Sequence, residues 1–268
     1  MALPNYETLL TEKSNSVLTV TLNRPEKLNA ANETMHHELE DVWGSIEREH
    51  DVRVVVLTGA GRGFCAGGDW SEESQPEEMD RGYVRGSVFD YIPSRGHVYK
   101  LARTMIEFSK PVVAAVNGPA AGLGSTLALL SDVVFMAESA RIGDRHTKMG
   151  LTAGDAGTVL WPLLIGLNRA KDILMTGRLV GAEEAYRIGL ANYICPDDKL
   201  MHEVYDYANK LAALPELGVR TTKLGCNKIL QLMWTIGGDL AVEYEARCFG
   251  DPEVEQIASE FRAGTRRG

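Results

Sequence analysis

The 268 residues contain no apolar run approaching the ~20 that a membrane-spanning helix needs. The opening residues Met1 to Glu7 lack the basic start and apolar stretch of a secretory signal, so a cytoplasmic location is expected. The four cysteines, Cys65, Cys195, Cys226 and Cys248, form no C-x-x-C pair and have no histidine at zinc-ligand spacing. That argues against a metal site and for free thiols in a reducing compartment. Positive charge is scarce as well: 28 Lys and Arg against 37 Asp and Glu leave a net charge of −9. The single basic cluster is Arg262, Arg266 and Arg267 at the C-terminus, a solvated tail rather than a nucleic-acid surface. Gly59-Ala60-Gly61-Arg62-Gly63 does not fit G-x-G-x-x-G, which removes the usual signature of a nicotinamide or flavin site.

Two glycine-rich turns are present instead, each at the end of a Val-rich run. Val52–Thr58 leads into Gly59-Ala60-Gly61-Arg62-Gly63-Phe64-Cys65-Ala66-Gly67-Gly68-Asp69, and Pro111–Val116 leads into Asn117-Gly118-Pro119-Ala120-Ala121-Gly122-Leu123-Gly124-Ser125. Both read as a short buried strand ending where the backbone can approach a ligand closely. Two backbone N–H groups aimed at one point would form an oxyanion hole. Cys65 lies inside the first turn, but with no partnering histidine it reads as an inert thiol before a nucleophile.

Around these turns the pattern is α/β. Ser16–Leu22 alternates as a strand, and Asn32 is placed to cap a helix over Glu33–His50 whose Met35, Leu39, Val42 and Ile46 share a face. Further helices are expected over 98–108, from near Gly122 to Leu130, and at about 155–165, 169–175 and 182–188, with a strand over 132–137. Residues 70–97 carry an acidic stretch, then glycines, Pro93 and aromatics, and read as a long lid-like loop. After Pro196 the chain is almost wholly helical, with segments expected at 197–214, 215–233, 236–249 and 252–263. A boundary is therefore placed between a core of residues 1–195 and a helical region of residues 196–268.

Taken together, several segments resemble the crotonase (enoyl-CoA hydratase/isomerase) superfamily. They are Leu22-Asn23-Arg24-Pro25-Glu26-Lys27-Leu28-Asn29-Ala30, Gly63 to Asp69, Lys110 to Gly118, Ser131 to Val134, Met175 to Arg178 and Gly189 to Tyr193. The resemblance implies a spiral of ββα units whose helical C-terminal region closes the pocket and mediates homotrimers, often paired into hexamers. It implies an acyl-CoA thioester substrate, with coenzyme A as part of the substrate and no separate cofactor or metal. The thioester oxygen would sit between the N–H of Gly68 and the N–H of Leu123. CoA would be held by Arg24 and Lys27 near its phosphates, by the backbone at Leu28 and Ala30 near its adenine, and by Ala66.

The chain departs from the family where hydratases carry two glutamates, because Thr126 and His146 stand there. A threonine hydroxyl is no general base near neutral pH, whereas a histidine can be one. Asp155 follows in Ala153-Gly154-Asp155-Ala156-Gly157, where it can orient His146 as an acid does in a triad, cap the next helix, or act as a nucleophile as in a dehalogenase relative. Asp144 is a weaker candidate acid, and Glu245 reads as a surface acid. The His146–Asp155 pair also resembles a branch that hydrolyses C–C bonds of β-diketones, although that branch has lost the Ala-Gly turn kept here. Hydration or isomerisation of an enoyl-CoA is thus expected, with hydrolysis of a β-diketone or β-ketoacyl-CoA, or a non-catalytic acyl-CoA-binding role, as rivals.

Overall fold

The computed structural model describes residues 3–71, 96–249 and 251–265; the expected lid of residues 70–97 lies almost entirely outside them. Its strands are β1 (Leu9–Ser14), β2 (Val17–Leu22), β3 (Val54–Gly59), β4 (Val112–Val116), β5 (Ala120–Ala121), β6 (Val133–Ala137), β7 (Arg141–Gly143), β8 (Val180–Gly181) and β9 (Tyr193–Cys195). Its helices are α1 (Glu33–Glu47), α2 (Gly96–Glu107), α3 (Leu123–Leu130), α4 (Gly157–Ile165), α5 (Leu167–Thr176), α6 (Ala182–Ile188), α7 (Leu200–Ala212), α8 (Glu216–Cys248) and α9 (Pro252–Arg262).

Six strands form one sheet in the order β1-β2-β3-β4-β6-β9, and β5-β7-β8 form a smaller one. Only β1 and β2 pair antiparallel in the large sheet; every other neighbour in it is parallel. β3 and β4 are buried along their whole length, as parallel strands covered on both faces must be. Helix α7 lies across β2, β3, β4 and β6, so Leu200, Val204, Ala208 and Ala212 belong to the same apolar core as the sheet. The expected α/β architecture with a helical C-terminal region is present.

Asn32 caps α1, its side-chain oxygen accepting from the N–H of Met35 at 3.0 Å. Two expectations need correction. Residues 216–248 form one continuous 33-residue helix rather than two, because packing against α2 and α4 carries it through Gly237 and Gly238 despite their poor helix propensity. A Cβ at Gly237 would lie 3.4 Å from Val159, and one at Gly238 would overlap the Trp234 ring. Asp155 does not cap α4: that position belongs to Ala156, whose φ is 68°, and no side chain caps the helix.

Buried charge anchors α8. The Lys223 ammonium donates to the carbonyl of Lys110 at 2.8 Å and pairs with Asp132 at 2.7 Å. Asp132 in turn accepts from the N–H of Val112 at the start of β4. Lys110 itself is fully buried and donates to the carbonyls of Ile46 and Glu49, ending α1. At the far end of α8, Phe249 stacks on Trp70 with ring centroids 6.1 Å apart.

The approach of α3 to the first glycine turn leaves no room for a side chain. A Cβ at Gly124 would overlap the carbonyl oxygen of Cys65. Gly124→Ala is expected to destabilise by about 1–3 kcal/mol through overpacking. Gly44→Ala in α1, where the added Cβ meets only Arg48 at 3.8 Å, should instead stabilise by ~0.5–1 kcal/mol. Urea unfolding midpoints of the two variants check the contrast.

Candidate active site

β3, β4 and β6 run parallel side by side, with Thr58 opposite Ala115 and Ala115 opposite Phe135. The segments that follow them therefore leave the same edge of the sheet, where ligands bind in open parallel sheets. The two glycine turns meet there. The carbonyl of Pro119 accepts from Phe64 and Cys65, and the N–H of Ala121 donates to Cys65 at 2.9 Å. Gly122, at φ 51°, lies with its missing Cβ 3.7 Å from the Cα of Gly67 and 3.4 Å from Cε1 of His146. The three segments converge on one point.

At that point the N–H groups of Gly68 and Leu123 have no acceptor among the described residues. Gly68 is exposed, whereas Leu123 opens α3, where unpaired N–H groups carry partial positive charge. Thr126, one turn further along α3, donates its hydroxyl to the carbonyl of Asp155 and fixes that loop.

His146 stands among three carboxylates. Its Nδ1 lies 2.7 Å from Asp144, which also accepts from the His146 backbone N–H. Its Nε2 lies 3.3 Å from Asp155 and 3.5 Å from Glu245. Asp144 is fully buried; its other oxygen has no partner among the described residues and sits against Gly157 at the start of α4. A helix N-terminus suits a carboxylate there.

Burial alone would lower the pKa of His146. The charges of Asp144, Glu245 and Asp155, with the Asp144 hydrogen bond, outweigh it and hold the pKa well above 6.5. Burial would raise Asp155, yet the adjacent imidazolium, its hydrogen bond and the more distant His36 bring it below the usual range. Burial pushes Glu245 well above the ordinary carboxyl range; the charge of Asp155 adds to this, while His146 opposes it. The surroundings thus favour an imidazolium beside the carboxylate of Asp155, and among these acids it is Glu245 whose neutral form burial favours. The donor atoms of His146, Asp155 and Glu245 all lie within 4.8 Å of one another, which is also close enough to enclose a cation.

Sequence reasoning paired His146 with Asp155, and the structure brings them together. The sequence makes Asp144 a weaker candidate than Asp155, yet Asp144 makes the shorter contact with the imidazole, and Glu245, expected as a surface acid, is only 14% exposed. Nothing in the sequence marks a contact between residues 99 positions apart. Cys65 is buried and its thiol is pushed up to about 12, chiefly by burial, which removes it as a nucleophile.

The loop after β2 runs beside the first turn. Asn29 is buried, donates to the carbonyls of Ala60 and Gly63 and accepts from Arg24 N–H. Ala66 N–H donates to Leu28, and Leu28 and Asn29 both adopt positive φ. Such backbone is costly for a leucine and persists only where its surroundings impose it. Arg24 commits one guanidinium nitrogen to Asp69 at 2.9 Å and to the carbonyl of Ala30. Lys27 is half-buried on the same loop.

Since folding raises the pKa of His146 above its unfolded value of ~6.5, the stability it contributes is complete below that pH. It is lost as pH rises through the folded value. The raised Glu245 adds a loss of the same sign, starting from its lower unfolded pKa. The lowered Asp155 acts with the opposite sign at acid pH, so the urea midpoint of the wild type should fall with rising pH above ~6.5, and His146→Gln should flatten that fall. The imidazole resonances should titrate with a midpoint well above 6.5.

A sequence profile of the enoyl-CoA hydratase/isomerase family matches residues 12–236. The chain is 36% identical over 258 residues to the 1,2-epoxyphenylacetyl-CoA isomerase of Escherichia coli, covering 96% of each chain. It is 34% identical over 244 residues to the short-chain-enoyl-CoA hydratase of Clostridium acetobutylicum, covering 91% of this chain and 88% of that one. Its fold superposes on the crystal structure of an enoyl-CoA hydratase/isomerase from Mycobacterium paratuberculosis with a TM-score of 0.86. That alignment is 32% identical and covers 96% of this chain and all of the other. The chain belongs to the enoyl-CoA hydratase/isomerase family.

Proposed function

We propose that the protein acts on an acyl-CoA thioester, hydrating or isomerising an enoyl-CoA through an enolate. The observation that carries this reading is the meeting of the Gly67-Gly68 turn, Gly122 and His146 at one point. The thioester oxygen lies between the N–H groups of Gly68 and Leu123, which stabilise the negative charge that builds on it. Losing one such donor typically costs ~3–4 kcal/mol in related chemistries. His146 and Asp155 move the proton, with Asp144 fixing the ring through Nδ1.

CoA runs along the loop after β2. Arg24 shapes that loop through its bonds to Asp69 and Ala30, and Lys27 supplies charge toward the phosphates. The backbone at Leu28 and Ala30 faces the adenine, and Ala66 flanks the pantetheine path. These assignments rest on the resemblance and on the packing of this loop against the first glycine turn. A homo-oligomer is part of the same reading. Ile229, Leu232, Ile236, Leu240 and Tyr244 recur every three or four residues on α8 and are each 49–67% exposed, an apolar stripe that a second copy would cover.

A second reading, hydrolysis of a C–C bond in a β-diketone or β-ketoacyl-CoA, is favoured by the His146–Asp155 contact at 3.3 Å. The intact Ala66-Gly67-Gly68 turn and the free N–H of Leu123 favour the thioester. Assays of a 2-enoyl-CoA, a 3-enoyl-CoA and a β-diketone side by side should show turnover of an enoyl-CoA. His146→Ala should lower it by about 10²–10⁴-fold, the usual worth of a positioned acid or base. Turnover of the diketone alone, or an unaffected His146→Ala enzyme, would contradict the proposal.

A further inference from the structure

Adding water across an enoyl-CoA double bond needs two proton movements, one from the water and one to the α-carbon. The residues identified above supply only one flexible partner. Asp155 is ionised, both His146 nitrogens face carboxylates, and the Thr126 hydroxyl is committed to the carbonyl of Asp155. Glu245 is the remaining group. It comes from α8, far along the chain, and is seated where Gly154 has no side chain: a Cβ there would overlap Glu245 Oε2 and meet the carbonyl of Ala241 at 2.9 Å. Its Oε1 lies 3.5 Å from Nε2 of His146, close enough for a proton to pass with a small side-chain movement.

We infer that Glu245 is the acid that protonates the α-carbon of the substrate enolate, and that it recovers its proton through Nε2 of His146. The inference rests on the acyl-CoA reading above. In the hydration step, the water oxygen bonds to the β-carbon while its proton passes to the carboxylate of Asp155. The C=C electrons move onto the thioester as an enolate held by the Gly68 and Leu123 N–H groups. As the enolate collapses, the α-carbon takes the proton of Glu245, leaving a carboxylate. Nε2 of the imidazolium then gives its proton to Glu245 and takes the one held by Asp155, and the site returns to its starting charge.

The surroundings fit a neutral carboxyl at rest. The groups facing it are Asp144 and His146 from the segment after β7 and Asp155 from the loop before α4, with His36 of α1 acting behind Asp155. Two ionised neighbours oppose a third negative charge, and burial opposes it further. The imidazolium favours that charge but is already shared with Asp144 and Asp155.

The test uses the full chain, crotonyl-CoA and the variants Glu245→Gln and Glu245→Asp, with kcat followed against pH. Glutamine is a neutral isostere, so a merely structural neutral acid would tolerate it with less than about threefold change. A proton donor would lose at least ~100-fold, and the alkaline fall of the wild-type profile would vanish with it. Glu245→Asp, which keeps an acid on a shorter arm, should retain part of the rate. Infrared difference spectra between wild type and Glu245→Gln at neutral pH should show a protonated carboxyl band that shifts in D2O. Near-wild-type activity of Glu245→Gln, or a band from an ionised carboxylate in an active enzyme, would overturn the inference alone. A stoichiometric divalent ion in the wild type that is lost from Glu245→Gln would also overturn it, replacing the proton by a cation. A protonated band in a protein that turns over no acyl-CoA would overturn both the acyl-CoA reading and the α-carbon assignment.

Discussion

Parallel pairing of β3 with β4, and of β5 with β7, decides where the two glycine turns and His146 meet. Parallel neighbours end on the same side, so the two glycine turns are delivered to one edge, and the parallel pairing of β5 with β7 brings Asp144 and His146 to the second of them. Strands buried on both faces cannot slip without exposing Val55, Val56, Val113 and Ala114 to water. The glycines then allow the approach that strand pairing only brings near: Gly124 against Cys65, and Gly122 against both Gly67 and His146.

On this platform charge is distributed unevenly for a reason. Three carboxylates around one imidazole cannot all stay ionised away from water. The fully buried Asp144 has the imidazole Nδ1 and the start of α4 to hold it. Asp155 has Nε2 at 3.3 Å, and Glu245, slightly farther away, is the acid that burial pushes above the usual carboxyl range. Where the resemblance leads one to expect two glutamates, this chain gathers one imidazole and three carboxyl groups. The turns bring the N–H groups of Gly68 and Leu123, without acceptors among the described residues, beside that cluster.

Much of this was legible in the sequence. Strand, turn and helix followed from the Val-rich runs, their glycines and the Asn32 cap, and the family followed from the order of the motifs. The His146–Asp155 contact was legible because the two lie close along the chain in a recognisable segment. Glu245 was not, since an acid on a long amphipathic helix looks solvated until the tertiary packing of α8 is known. That packing depends on Lys223 reaching Asp132 and Lys110, and on Gly154 leaving space, and none of these leaves a local pattern. The short strands β5, β7 and β8 were equally hidden. They pair with each other only because the turns that hold them have already been brought together.

The most direct measurement of the central claim is a crystal structure with a non-reactive acyl-CoA thioester bound. The thioester oxygen should lie about 2.7–3.1 Å from both the Gly68 and Leu123 nitrogens, with the α- and β-carbons facing the His146, Asp155 and Glu245 cluster. A thioester oxygen bound away from either nitrogen, or reactive carbons turned away from His146, would contradict the account.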